Sequence, residues 1–192
     1  MAMHAMTLDS LSGGRFRLGI GVSGPQVVEG WYGRPFSKPL ARTREYVQII
    51  RDVLAREAPV TNDGPHYPLP YQGPDAVGLG KPLKLLTRPE RDSVPIYVAA
   101  LGPRSVEATA EIADGWLPIM FVPERFQNVW GPQLKAGTAK RDPARKRLDI
   151  SAGGMLAIDE SLTGEARTKV LDMARPGMAL YVGGMGARGK NF

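Results

Sequence analysis

The 192-residue chain is 43% apolar and carries a formal net charge of +6, enough for one sizeable core but short for two domains. It has no cysteine and only two histidines, His4 and His66. That excludes a disulfide framework, a cysteine nucleophile and a structural zinc centre, and no metal site is expected.

In chain order, MAMHAMTLDSLS reads as a helix that begins without a cap, and RFRLGIGV (15–22) reads as a strand bounded by Gly13-Gly14. LARTREYVQIIRDVLARE (40–57) places Leu40, Val47, Ile50 and Leu54 on one helical stripe. Residues 58–93 are rich in proline and glycine with little helical period. An insertion of that length in a compact domain reads as a lid or binding loop, or else as a surface loop. Within it, HYPLPY and PLKLL could pair as a hairpin. IYVAAL (96–101) reads as a buried strand, and PRSVEATAEIAD (103–114) as a helix with Pro103 at its first position. GWLPIMF (115–121) is a third strand that Pro118 bends or ends. The stretch from Pro123 starts a helix that Gly131-Pro132 should kink or interrupt.

Much of the positive charge falls in KAGTAKRDPARKR (135–147). This run reads as a solvated face, and without interleaved aromatics it makes a poor base-stacking surface; no nucleic-acid partner is expected. RLDISAGGMLAI (147–158) is a fourth strand with a bulge candidate at Gly153-Gly154, and LTGEARTKVLDMA (162–174) a fourth helix. No apolar run of about 18 residues and no leader pattern is present, so a cytoplasmic chain without membrane contact is expected.

Apolar strands alternating with helices predict an α/β fold with a covered parallel sheet. About four βα units, with a long insertion after the first helix, do not close a (β/α)8 barrel. The alternatives are a small open sheet and part of a larger barrel. The uncapped start and the abrupt end at GARGKNF favour a single-domain barrel fragment over 1–192.

Three glycine signals bear on function. GIGVSG (19–24) matches G-x-G-x-x-G after a strand, but the glycines and prolines that follow exclude an immediate regular helix, and no acidic residue closes a second strand about 20 residues on. GMGARGKN (184–191) is one residue short of a P-loop and has Asn191 in place of the hydroxyl. A basic C-terminal stretch is the better account. The third signal is Ala99-Ala100-Leu101-Gly102-Pro103: small residues end a strand, and a helix opens with its positive end over the turn. It reads either as a backbone phosphate seat or as a plain strand-to-helix turn.

TLDSLSGGRFRLGIGVSG, EGWYGRPFSKPLARTREYVQIIRDVL, GPHYPLPY, VPIYVAALGPRSVEATAEIADGWLP and GMALYVGGMGARGKNF, in that order, resemble the luciferase-like flavin oxidoreductases. Within them, they resemble the actinobacterial branch that uses the deazaflavin coenzyme F420. The resemblance implies a (β/α)8 barrel with the cofactor at the C-terminal mouth of its strands. This chain would supply apparent strands four to seven, with 58–93 as the excursion near the substrate entrance.

By position, the resemblance assigns Ala99, Ala100, Leu101 and Gly102 to the cofactor's phosphate-bearing arm. Gly21, Val22 and Ser23 would lie beside its ring, and Glu29 and Trp31 would face the substrate. Leu101 stands where some family members carry glycine. The implied activity is hydride transfer between F420 and an unidentified small organic substrate. The alternatives are an FMN-dependent monooxygenase of the same fold, or an inactive truncated barrel. A partial barrel with open sheet edges would favour a homo-oligomer.

Overall fold

The computed structural model describes residues 1–154 and 156–183. Helix α1 (Ala2–Leu11) ends at Ser12. Gly13 (φ 60°) and Gly14 (φ 75°) then turn the chain through the left-handed region, where glycine pays no steric penalty. Strand β1 (Leu18–Gly21) and short helix α2 (Pro25–Gly30) follow. In helix α3 (Pro39–Ala55), Val47, Ile50 and Leu54 of the predicted stripe are buried, while Leu40, in the first turn, is only half-buried. Strand β2 (Ile96–Ala99) leads into helix α4 (Pro103–Ile112). Strand β3 (Gly115–Leu117), helix α5 (Phe126–Ala139), strand β4 (Asp149–Ile150) and helix α6 (Gly164–Val182) complete the order.

The strands form one parallel sheet in the order β1-β2-β3-β4. The helices pack in the same sequence, α1 on α3, α3 on α4 and α4 on α5. Strands and helices that advance together form a singly wound arc, which is a partial (β/α)8 barrel. A doubly wound dinucleotide fold would reverse strand order at a switch point. The G-x-G-x-x-G reading therefore fails on topology. Contrary to the expectation that no helix follows GIGVSG at once, the short helix α2 does open at Pro25, whose fixed φ suits a first helical turn.

Two apolar clusters fill the space between sheet and helices. One joins Leu18, Ile96 and Val98 to Ala5, Val47, Ile50 and Leu54. The other joins Trp116 and Ala100 to Val106 and Trp130, with Ile150 partly buried against it. Alternation along the strands then puts Gly19, Gly21, Tyr97, Ala99, Gly115, Leu117 and Asp149 on the opposite, concave face. A Cβ on Gly115 would overlap the Tyr97 ring, so only glycine lets that ring lie across β3. The Tyr97 hydroxyl donates to Asp149 Oδ2 (2.5 Å) and accepts from Arg17 Nη1 (2.5 Å). Arg17 also pairs with Asp149 at 3.1 Å, which ties β4 to the chain entering β1.

Several expected boundaries shift. Pairing in β4 stops at Ile150, so no strand runs to 158 and Gly153-Gly154 is no bulge. Strand β3 ends before Pro118, and α5 starts at Phe126 and continues through Pro132. The fourth helix spans Gly164–Val182 instead of stopping at 174. Within 58–93 the pairs are Val60 with Leu83 and Asn62 with Leu69, and the expected HYPLPY–PLKLL hairpin is absent. The near P-loop at 184–191 lies outside the described residues.

The basic stretch has work inside the fold. Arg141 donates to the Ala110 and Ala113 carbonyls (3.0 and 2.5 Å), covering the negative end of α4. Lys140 pairs with Glu107 (2.5 Å), and Arg145 lies 3.8 Å from Asp114.

Candidate cofactor site

The site is built where β1 and β2 end. Their register sets Gly21 beside Ala99, and a Cβ on Gly21 would sit 3.3 Å from that of Ala99. The two groups that the sequence singled out, Gly21-Val22-Ser23 and Ala99-Ala100-Leu101-Gly102, therefore lie next to each other. Ser23 adopts the left-handed region (φ 56°) and turns β1 away into α2.

The β2 segment divides its tasks. Ala99 is exposed on the concave face, whereas the Ala100 side chain is buried under the helices. Ala100 can therefore serve a ligand only through its backbone. Gly102 is the extended N-cap of α4 (φ −67°, ψ 151°) and Pro103 occupies the first turn. Ser105 donates its N–H (3.0 Å) and hydroxyl (2.8 Å) to the Gly102 carbonyl.

Two indoles grip the carbonyls before it. Trp116 Nε1 donates to Ala100 O at 2.9 Å and Trp130 Nε1 to Leu101 O at 3.1 Å. The rings meet edge to face, with centroids 5.3 Å apart. Both tryptophans went unassigned in the sequence reading, because nothing in the spacing of residues 100, 116 and 130 announces a contact.

The substrate candidates stand elsewhere. Glu29 Oε1 accepts from the Phe36 N–H at 3.0 Å and closes its own loop, while Trp31 is 82% exposed. Neither belongs to the paired strand ends. The insertion, by contrast, is anchored on α3. The Glu45 carboxylate accepts from Asn62 Nδ2 (3.2 Å), His66 N (3.2 Å) and Tyr67 N (3.0 Å).

Two surface depressions among the described residues lie away from the strand ends. One of 350 Å³ lies between 156–162 and α6, and one of 430 Å³ lies within the insertion. A barrel site sits at the C-terminal face of the strands, whatever shallow grooves the outer loops form. Below that face, burial first and then the Asp149 hydrogen bond push the Tyr97 phenol above its ordinary pKa, so it stays protonated. Among the described residues no His/Asp/Glu cluster could hold a metal, and no helix is long and apolar enough to cross a membrane.

A flat, phosphate-bearing coenzyme fits this arrangement. Gly21 and Ala99 present no bulk on the concave face, and the positive end of α4 opens at Gly102.

The model of the luciferase-like monooxygenase family matches residues 1–191. Over 191 residues the chain is 51% identical to the putative coenzyme F420-dependent oxidoreductase Rv3520c of Mycobacterium tuberculosis, covering all of this chain and 54% of that protein. It is 34% identical to a 5,10-methylenetetrahydromethanopterin reductase of Archaeoglobus fulgidus, covering 93% and 47% of the two chains. The chain thus spans about half the length of these relatives. Among solved structures, the coenzyme F420-dependent tetrahydromethanopterin reductase of Methanopyrus kandleri superposes with a TM-score of 0.66 at 24% identity, over 83% of this chain and 46% of that one. An F420-dependent secondary alcohol dehydrogenase gives 0.60 at 21% identity, over 78% and 44%. With a family model over nearly its whole length and this fold, the chain belongs to the luciferase-like monooxygenase family.

Proposed function

We propose that this chain forms one wall of the F420 site of an oxidoreductase that moves hydride between the coenzyme and a small organic substrate. The observation that carries the reading is the pairing of Gly21 with Ala99, which starts Gly21-Val22-Ser23 and Ala99-Ala100-Leu101-Gly102 side by side at the C-terminal edge of a parallel arc. Support for F420 over FMN comes from the 51%-identical Mycobacterium tuberculosis relative, a putative coenzyme F420-dependent oxidoreductase.

When bound, the coenzyme supplies a hydride donor or acceptor, two electrons and one proton moving together to or from a substrate carbon. The chain's own residues bind and orient. The Leu101 and Gly102 backbone and the opening turn of α4 hold the phosphate arm. Gly21 and Ala99 leave room for a planar ring, and Val22, 38% exposed, offers an apolar edge. The insertion, held by Glu45, would shield the site from water. The bareness of the concave face, where Arg17 and Asp149 remain 62% and 52% exposed, supports a site with further walls outside this arc.

Titration of the chain with F420, followed by coenzyme fluorescence, tests the reading. A saturable change at micromolar coenzyme is expected. A response to FMN alone moves the assignment to the monooxygenase reading, and no response to either overturns the reading for this chain.

A further inference from the structure

We propose that Trp130, together with Trp116, is a positioning residue that aims the backbone of the phosphate seat; this rests on the F420 reading above. In a trans peptide the carbonyl and the following N–H point in opposite directions. Trp116 holds the Ala100 carbonyl at 2.9 Å, so the Leu101 N–H of the same peptide points away from that indole. Trp130 holds the Leu101 carbonyl at 3.1 Å, so the Gly102 N–H likewise points away from the aromatic cluster. Ser105 takes the third successive carbonyl, that of Gly102. Among the described residues, the Leu101 and Gly102 N–H groups donate to no other atom of the chain. Three gripped carbonyls therefore leave two adjacent donors turned out of the core, beside the positive end of α4.

The device does not depend on the side chain at 101, which accounts for a seat that works with leucine. It also explains why a tryptophan sits on α5, the helix after the neighbouring strand. Trp130 is 7% exposed and stacks edge to face on Trp116, which is fully buried. The indole N–H is thereby held in a dry setting, where a hydrogen bond orients most firmly.

Trp130→Phe removes the donor and retains an aromatic ring. Its F420 dissociation constant is expected to rise about fivefold to tenfold, the value of one hydrogen bond. The deazaflavin lacking its phosphate arm should bind wild type and variant equally. Ile50→Val, in the other core cluster, serves as a stability control and should leave F420 binding unchanged. An unchanged F420 constant in Trp130→Phe, or an equal loss for the phosphate-free deazaflavin, overturns the inference. The backbone ¹⁵N resonance of Gly102, measured without coenzyme, decides it independently. It should shift in Trp130→Phe, and an unmoved resonance overturns the positioning role even if wild type binds F420. If wild type binds no F420 while this resonance shifts, the functional reading fails and the positioning of the turn stands.

Discussion

Trp116→Ala is expected to destabilise the protein by about 3–5 kcal/mol, the range for removing a buried large aromatic. Trp116 has no exposed surface and is among the largest fully buried side chains. It meets Phe121 edge-on at 6.2 Å and Trp130 at 5.3 Å. Its removal opens a cavity in the cluster that joins β3, α4 and α5, and it orphans the Ala100 carbonyl, which then sits buried without its donor. Urea unfolding should show a lower midpoint at a similar slope. Trp116→Phe should restore part of the loss while still leaving the carbonyl unpaired, at a cost of about 1–3 kcal/mol. A Trp116→Ala loss below about 1 kcal/mol would mean that the cluster repacks freely, contrary to the density of a folded core.

Arg91→Ala is expected to cost a similar amount for an electrostatic reason. Asp9 is fully buried on α1, and its carboxylate is answered by the forked Arg91 guanidinium, through Nε at 3.0 Å and through Nη2. The same Nη2 donates to the Phe16 carbonyl at 2.7 Å, so one side chain ties the end of the insertion to the turn before β1. Deleting it leaves a buried charge without a partner, a loss of about 3–5 kcal/mol. Arg91→Lys should recover only part, because an ammonium cannot span both carboxylate oxygens and the carbonyl. Thermal unfolding checks both variants. If Asp9→Leu/Arg91→Ala proves more stable than Arg91→Ala alone, the penalty lies in the orphaned carboxylate and not in lost packing.

The alternation of strands and helices was legible because apolar runs and helical stripes are local patterns. Val47, Ile50 and Leu54 fall on the predicted stripe, and Pro103 starts α4 as its geometry favours. The edges were less legible because pairing, not propensity, ends a strand. Residues 151–158 carry the apolar content of a strand, yet β4 finds a partner only through Ile150. Pro132 lacks one N–H but sits in a helix whose packing outweighs that loss. Close packing of α5 on α4 even requires a glycine, since a Cβ on Gly137 would overlap the Glu107 carbonyl.

Within the proposed site, the strand-to-helix turn from Ala99 to Pro103 could be read, because small residues before a Pro-initiated helix are a local signal. What steers that backbone could not. Trp116 and Trp130 reach it from later elements, and the Arg17–Tyr97–Asp149 layer joins residues up to 132 positions apart. Such contacts exist only once the arc has curved. Arg141 likewise reads as one more charge in a basic run, and its capping of α4 depends on how α5 returns.

The role proposed for the turn ending β2 is to receive the coenzyme's phosphate arm on its outward N–H groups. Amide hydrogen exchange resolved across residues 94–106, with and without F420, tests it most directly. Slower exchange at Leu101, Gly102 and Arg104 on binding, with β2 itself unchanged, is the predicted result. Saturable F420 binding with no protection in this segment would contradict it.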